Sequence, residues 1–593
     1  MDPGRRSEAG IGAGAGLLAS LMVGVVLAGQ GRLDVSQPLR LDPPVVGWLT
    51  FVSLSALGGA LYGALFRFQP GRLAVTLGGG LLFGLLWWAG VWLTAIPLIT
   101  GTGPRWSVSE ATVTFPLLIA SVLAWGLAAL AFHAAGSRLI GDRALTEIIA
   151  ATGAPISHRV VIVGGGFGGV ATAQRLEQLL SHRPEVAVTL VSESNFLLFT
   201  PMLAGVASGS LVPRHVAAPL RATCPRTTIR RATVETVDPA ARTVRIRSSP
   251  EAVAEDVPYD RLVLAVGAVP TFRDLPDVAR RAFTLKTLAD ATNLRDHIIG
   301  LLDRAENEPT PEVRSRLLTF TVAGGGFAGV ELIAQLHDLV QDVLIYHPRI
   351  ERDELRFVLI HSRNRILPEL SDLLGEYALD LLRRRGIEFV LGARVAGATD
   401  DGVWLSDGMS IATATFVWTA GNEPAPLVGR LVAKGGNAAL ATDRTLRIEG
   451  FDDIWAVGDC ARIPDPDLDG QWCPPTAQHA LRQGRLAADN LVAKLDGHPL
   501  RPFRFRSLGM LVILGHNTAA AEIRGLRFAG LFAWLLWRGI YLTKLPGFEK
   551  KLRVLIDWLL DLAFPRDIVI AGDAGSRDPL KQAPGEAEHA SVA

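Results

Sequence analysis

Arg159-Val160-Val161-Ile162-Val163 runs into Gly164-Gly165-Gly166-Phe167-Gly168-Gly169, and Leu317-Leu318-Thr319-Phe320-Thr321-Val322 leads the same way to Gly324-Gly325-Gly326-Phe327-Ala328-Gly329. Each apolar run reads as a buried strand, and each glycine series as the G-x-G-x-x-G turn that opens a helix. One such motif is weak evidence, because glycine-rich turns are common. Strand, turn and helix agreeing twice in one chain point to two dinucleotide sites. The glycines permit a tight turn and bring backbone N–H groups close to a pyrophosphate, toward which the helix N-terminus presents its positive dipole end. Glu193 ends a strand expected over 186–192 and lies 24 residues beyond Gly169, about where an acid meets an adenosine ribose hydroxyl.

Composition sets the surroundings of these sites. The 593 residues suffice for several domains, and a net charge of +1 supplies no basic field for nucleic acid. The hydrophobic fraction, 49%, is high and concentrated at the N-terminus. Four apolar stretches, about 10–29, 46–66, 75–100 and 112–134, each approach the ~20 residues needed to cross hydrocarbon. Arg5 and Arg6 before the first stretch also suit a signal peptide, but four consecutive spans favour a membrane region over residues 1–137. Arg5, Arg6, Arg67, Arg72, Arg138 and Arg143 bias one side, placing the N-terminus and everything after residue 138 in the cytoplasm. The expected location is therefore the cell (inner) membrane, multi-pass. Gly59 with Gly63, and Gly80 with Gly84, have the spacing that lets helices approach closely. No Asp, Glu or Lys lies inside the spans, so ion pumping is not expected. Cys224, Cys460 and Cys473 form neither a disulfide framework nor a metal site, which leaves redox work to bound cofactors.

Further motifs carry a resemblance. Tyr259 to Gly267, Val417-Trp418-Thr419-Ala420-Gly421 and Ile454-Trp455-Ala456-Val457-Gly458-Asp459 join the two fingerprints in a pattern similar to the two-dinucleotide-binding flavoproteins. Phe199-Thr200-Pro201-Met202-Leu203 and Pro475-Thr476-Ala477-Gln478-His479-Ala480-Leu481-Arg482-Gln483 narrow it to a resemblance to type II NADH:quinone oxidoreductases, over roughly residues 158–570. The resemblance implies an α/β architecture of two Rossmann-like domains, the nicotinamide-nucleotide fold (286–429) inserted in an FAD fold (158–285 and 430–500). An all-α transmembrane region and a linker (138–157) precede them, and C-terminal amphipathic helices (501–570) and a disordered tail (571–593) follow. It further implies FAD, NAD(P)H as substrate and a membrane quinone as acceptor, with NADH favoured. FAD would lie against Gly164, Gly166, Phe167, Gly168, Gly169, Glu193, Thr200, Pro201, Gly267, Asp459, Ala477 and Gln478. NAD(P)H would lie against Gly324, Gly326, Phe327, Ala328, Gly329, Glu331, His361, Ala420 and Gly421. Glu331 and Gln478 are the catalytic candidates, one near the nicotinamide and flavin, the other at the quinone end. Taken alone, Glu331 also suits a helix first turn and Gln478 a helix start. Self-association into a homodimer stays open.

The chain departs from the family at His361-Ser362-Arg363-Asn364-Arg365, where an NADH-specific site shows an acid at or beside the first position. Arginine there attracts a 2′-phosphate that a carboxylate repels, so NADPH use is open. The alternative makes both arginines solvated turn residues and lets His361 bind the ribose. Trp534, Trp537, Tyr541 and Trp558, mixed with Lys544, Lys550, Lys551 and Arg553, suit helices lying in the membrane interface, against the alternative of core or dimer-contact helices. Two other functions stay open: a sulfide:quinone oxidoreductase-like enzyme, whose paired cysteines these three do not resemble, and a membrane-bound flavin redox sensor without turnover.

Overall fold

The computed structural model describes residues 10–18, 44–66, 73–99, 115–136, 155–431, 439–465 and 470–570. The chain separates into two units, Met1–Ala154 and Pro155–Ala593.

In the first unit helices cover 10–18, Pro44–Leu65, Leu73–Trp87 and Phe115–Gly136, with a π-helical stretch Trp88–Ala95 continuing the third. Two helices among the described residues, Thr76–Ala95 and Leu117–Gly136, are long and apolar enough to cross a membrane. The rest of the first predicted span, residues 138–154 of the linker expected over 138–157, and the tail expected over 571–593 fall outside the described residues. The small-residue spacing has a physical use here. A Cβ on Gly59 would stand 2.1 Å from the Gly12 carbonyl oxygen, and one on Gly80 2.5 Å from that of Trp125. Only glycine allows these backbones to approach so closely. Tyr62, Phe83, Trp125 and Phe132 pack beside these contacts, each no more than 6% exposed.

The second unit holds two large parallel sheets. The first runs in the order 454–456, 261–264, 158–163, 186–192, 228–231. Val160, Val161, Ile162 and Val163 are all buried, the pattern of a central parallel strand covered on both faces, and β-branching suits them to it. Its outermost strand, Ile454–Ala456, comes from far along the chain and pairs in register with Leu262–Leu264. The second sheet, in the order 387–391, 356–361, 319–323, 415–418, lies wholly between those segments in sequence. The chain leaves the first sheet through Ala268–Pro270 and returns through Asn422–Pro424, and the two pair antiparallel. Helix Leu288–Asn307 begins with a full capping box, Thr287 and Asp290 each satisfying the other's backbone N–H.

After helix Ala477–Leu495, a three-stranded antiparallel sheet (509–513, 519–523, 526–529) leads to helices Gly530–Lys544 and Phe548–Ala563. Trp534, Trp537 and Trp558 are at most 6% exposed and join the main core. The tryptophans expected at a membrane interface therefore face inward, because helix Gly530–Lys544 packs on the three-stranded sheet 509–529 and on helix Phe548–Ala563. Leu531, Phe532, Leu535, Leu559, Leu560 and Phe564, each over 50% exposed, form the outer face instead.

Candidate functional site

Both glycine turns are locked by close approach. Gly164 (φ 111°) and Gly324 (φ 122°) occupy conformations that favour glycine, and helices starting at Phe167 and Phe327 follow with Gly166 and Gly326 as N-caps. A Cβ on Gly169 would fall 1.9 Å from the Gly164 carbonyl oxygen, and one on Gly329 1.8 Å from that of Gly324. Phe167 and Ala328 thus sit in first helical turns, where free backbone N–H groups suit an anion. Glu193 follows the strand Val186–Ser192 and is exposed, and its carbonyl oxygen accepts from Arg231.

On the first fold, Thr200 and Pro201 form a 3₁₀ turn leading into helix Leu203–Ala207, and Gly267 (φ 69°) ends the crossover from Arg261–Leu264. Asp459 lies in the turn Gly458–Cys460, after the outermost strand. Burial raises its carboxyl above the usual range, opposed by the Lys286 ammonium. Lys286, pushed down in turn by burial, is a charged neighbour that no motif announced. Gln478 occupies the first turn of helix Ala477–Leu495, which Thr476 caps by accepting from the His479 N–H. Its Nε2 donates to the Gly509 carbonyl (3.0 Å), while its buried Oε1 has no partner among the described residues.

On the second fold, Ala420 and Gly421 (φ 136°) follow the strand Thr415–Trp418. His361 ends the strand Arg356–His361, and its Nδ1 accepts from the Gly325 N–H at 3.1 Å. Burial, with Arg363 beside it, lowers the imidazole pKa. The two arginines part company. Arg365 is bound to Asp372 and to the Leu370 carbonyl, whereas Arg363 is exposed and its guanidinium is engaged by none of the described residues.

Glu331 is the most perturbed group of the site. Ile513 N–H donates to its Oε1 at 3.0 Å, and burial pushes its pKa up to about 8 against the pull of that N–H and the Trp537 indole. Glu331 lines a cavity to which Pro201 and Met202 of the first fold also contribute. Tyr541 packs against Phe199 (6.0 Å between ring centroids) and Trp537 (4.4 Å), while Arg538 stacks 3.7 Å over Trp534 and 4.9 Å from Trp558. Spacing could not reveal these partners, because Ile513 is 182 residues from Glu331.

The three thiols are unpaired, and burial pushes Cys224 up to about 12 and Cys460 and Cys473 up to about 11. Neutral, separate thiols lack the nucleophilic thiolate that sulfur chemistry needs.

Known proteins bear on this geometry. Residues 158–484 match the family described as pyridine nucleotide-disulphide oxidoreductase, and residues 508–567 the NDH2 C-terminal domain. A type II NADH:quinone oxidoreductase of Mycobacterium tuberculosis is 31% identical over 423 residues, 68% of this chain and 88% of that protein. An external alternative NAD(P)H-ubiquinone oxidoreductase of Arabidopsis thaliana is 28% identical, covering 70% of this chain and 90% of its own length. The solved structure of NDH2 from Plasmodium falciparum in complex with NADH shares the fold at a TM-score of 0.65 with 18% identity, over 70% of this chain and 99% of that one.

Proposed function

Because the chain belongs to the type II NADH:quinone oxidoreductase family, we propose that it is a membrane-bound, non-proton-pumping NAD(P)H:quinone oxidoreductase that carries FAD. The flavin supplies the redox chemistry, a hydride in from NAD(P)H and two electrons out to a membrane quinone. The residues present fit two dinucleotides, since a Cβ on Gly166 would meet nothing within 4 Å and one on Gly326 only the Glu369 carboxylate at 3.9 Å, which leaves space at each helix N-terminus for a pyrophosphate.

One observation carries the reading most directly. Glu331, from the nucleotide fold, and Pro201 and Met202, from the fold assigned to FAD, line one cavity, so the two sites converge. Around it the chain's residues divide the work. The glycine turns and Glu193 hold the dinucleotides, Asp459 binds the ribityl hydroxyls, and Gln478 marks the quinone end. Glu331, protonated near neutral pH, holds a proton beside the reacting groups. His361 contacts the donor's ribose, and NADH is favoured. The apolar outer faces of the last two helices dock the catalytic unit on lipid, and the N-terminal helices anchor the chain with that unit in the cytoplasm.

Steady-state assay tests this reading against its rivals. Oxidation of NAD(P)H by a short-chain quinone analogue is expected. Sulfide-dependent quinone reduction would favour the sulfur enzyme, and flavin content without turnover would favour a sensor.

A further inference from the structure

The loop after strand Arg356–His361 is pinned on the second glycine turn. Arg365 is bound to Asp372 and donates from Nη2 to the Leu367 and Leu370 carbonyls. The Leu367 N–H donates to the Gly325 carbonyl at 2.7 Å, and the Leu370 N–H to the Leu367 carbonyl at 3.0 Å. Ile366, Leu367 and Leu370 are at most 3% exposed. Leu367 stands at φ 49°, a left-handed conformation that leucine keeps only where its surroundings enforce it. Tied at this many points, the loop fixes where its remaining side chains stand.

One of them is Glu369, exposed beside the buried Leu370. Its Oε1 lies 3.9 Å from the point that a Cβ on Gly326 would occupy, and nothing else comes within 4 Å of that point. Gly326 is the N-cap of helix Phe327–Val343, and no side chain caps it. Among the described residues, no cation or N–H claims the Glu369 carboxylate.

A carboxylate beside a helix N-terminus is favourable, because the first-turn N–H groups present positive charge there. The same helix end is where the pyrophosphate of a dinucleotide settles, bringing two negative charges. Like charges a few ångströms apart repel, so NAD(P)H meets an anion already in place. We propose that Glu369 competes with the donor's pyrophosphate for this helix end and thereby sets how loosely the enzyme holds its pyridine nucleotides. On binding, the carboxylate turns outward into solvent, which its exposure permits. Oxidised and reduced nucleotide carry the same pyrophosphate, so the penalty falls on both alike. It therefore raises KM for the donor and speeds release of the product, and it leaves hydride transfer itself unchanged. Glu369 touches no reacting atom; its effect is on affinity alone. The inference rests on the second glycine turn as the donor's pyrophosphate site.

The test titrates NAD⁺ into full-length holoprotein by calorimetry, beside stopped-flow reduction of the flavin by NADH. E369Q should tighten NAD⁺ binding about three- to tenfold, lower KM for NADH by a similar factor, and leave the flavin reduction rate at saturating NADH unchanged. The gain should shrink as salt is raised, because the charge is exposed. E369D, which keeps the charge, should bind NAD⁺ as the unaltered protein does. Reduced nicotinamide mononucleotide, which lacks the pyrophosphate, should bind E369Q and the unaltered protein alike. Equal or weaker NAD⁺ binding by E369Q overturns the inference, as does an equal gain in E369D or for the mononucleotide, since either would trace the change to shape rather than charge. An unaltered protein that binds no NAD⁺ overturns the donor-site reading and the inference with it, whereas NAD⁺ binding that E369Q leaves unchanged overturns the inference alone.

Discussion

The Gly325 N–H donates to His361 Nδ1 at 3.1 Å, so the imidazole closes the second glycine turn where an acid would otherwise stand. With Nδ1 accepting, the neutral ring carries its proton on Nε2, which is buried without a partner among the described residues. That donor is free for a ribose oxygen. NADH should give the higher kcat/KM, with NADPH also used because Arg363 stands free. R363A should lower kcat/KM for NADPH about tenfold, ~1.4 kcal/mol, with little effect on NADH. An NADPH preference beyond tenfold in the unaltered enzyme contradicts the lean to NADH.

Glu331 makes stability depend on pH. Burial raises its folded-state pKa from 4.5 to about 8, so between these values the folded chain binds more protons than the unfolded one. Stability then falls as pH rises through that window. Urea midpoints from pH 5 to 9 should decline more steeply for the unaltered protein than for E331Q. Parallel curves would show that the carboxyl is not so perturbed.

Gln478 offers a free Oε1 at the proposed quinone end, its amide oriented by the Gly509 carbonyl. Removing one such hydrogen bond costs ~1–3 kcal/mol, so Q478A should lower kcat/KM for quinone by roughly 10–100-fold. Reduction of the flavin by NADH in stopped-flow should be unaffected. Equal loss in both half-reactions would remove Gln478 from the quinone end.

The two C-terminal helices predict lipid binding without the N-terminal unit. A chain beginning at residue 155 should float with anionic liposomes, and L531D with L559D, on the exposed faces, should abolish this while leaving Tm within a few degrees. Failure of the unaltered segment to bind would end the interfacial role.

Sequence legibility followed the range of the interactions concerned. Each glycine turn is enforced by atoms within a few residues, Gly169 against Gly164 and Gly329 against Gly324, so both were readable from spacing. The helix Gly530–Lys544 carries apolar side chains on nearly every side, and pattern could not say which face is buried. Packing on the three-stranded sheet and the last helix turns Trp534 and Trp537 inward. Arg363 and Arg365 looked equivalent until Asp372 and the Leu370 carbonyl claimed one of them. The Ile513 contact that completes the Glu331 site arises only from tertiary packing.

In the proposed function, one chain holds a flavin between a nicotinamide donor and a quinone acceptor. Anaerobic absorption spectroscopy of the purified full-length protein tests it most directly. A flavin spectrum that bleaches on addition of NADH and returns on addition of a short-chain quinone is the expected result. A protein without that chromophore, or one whose spectrum NADH leaves unchanged, would contradict it.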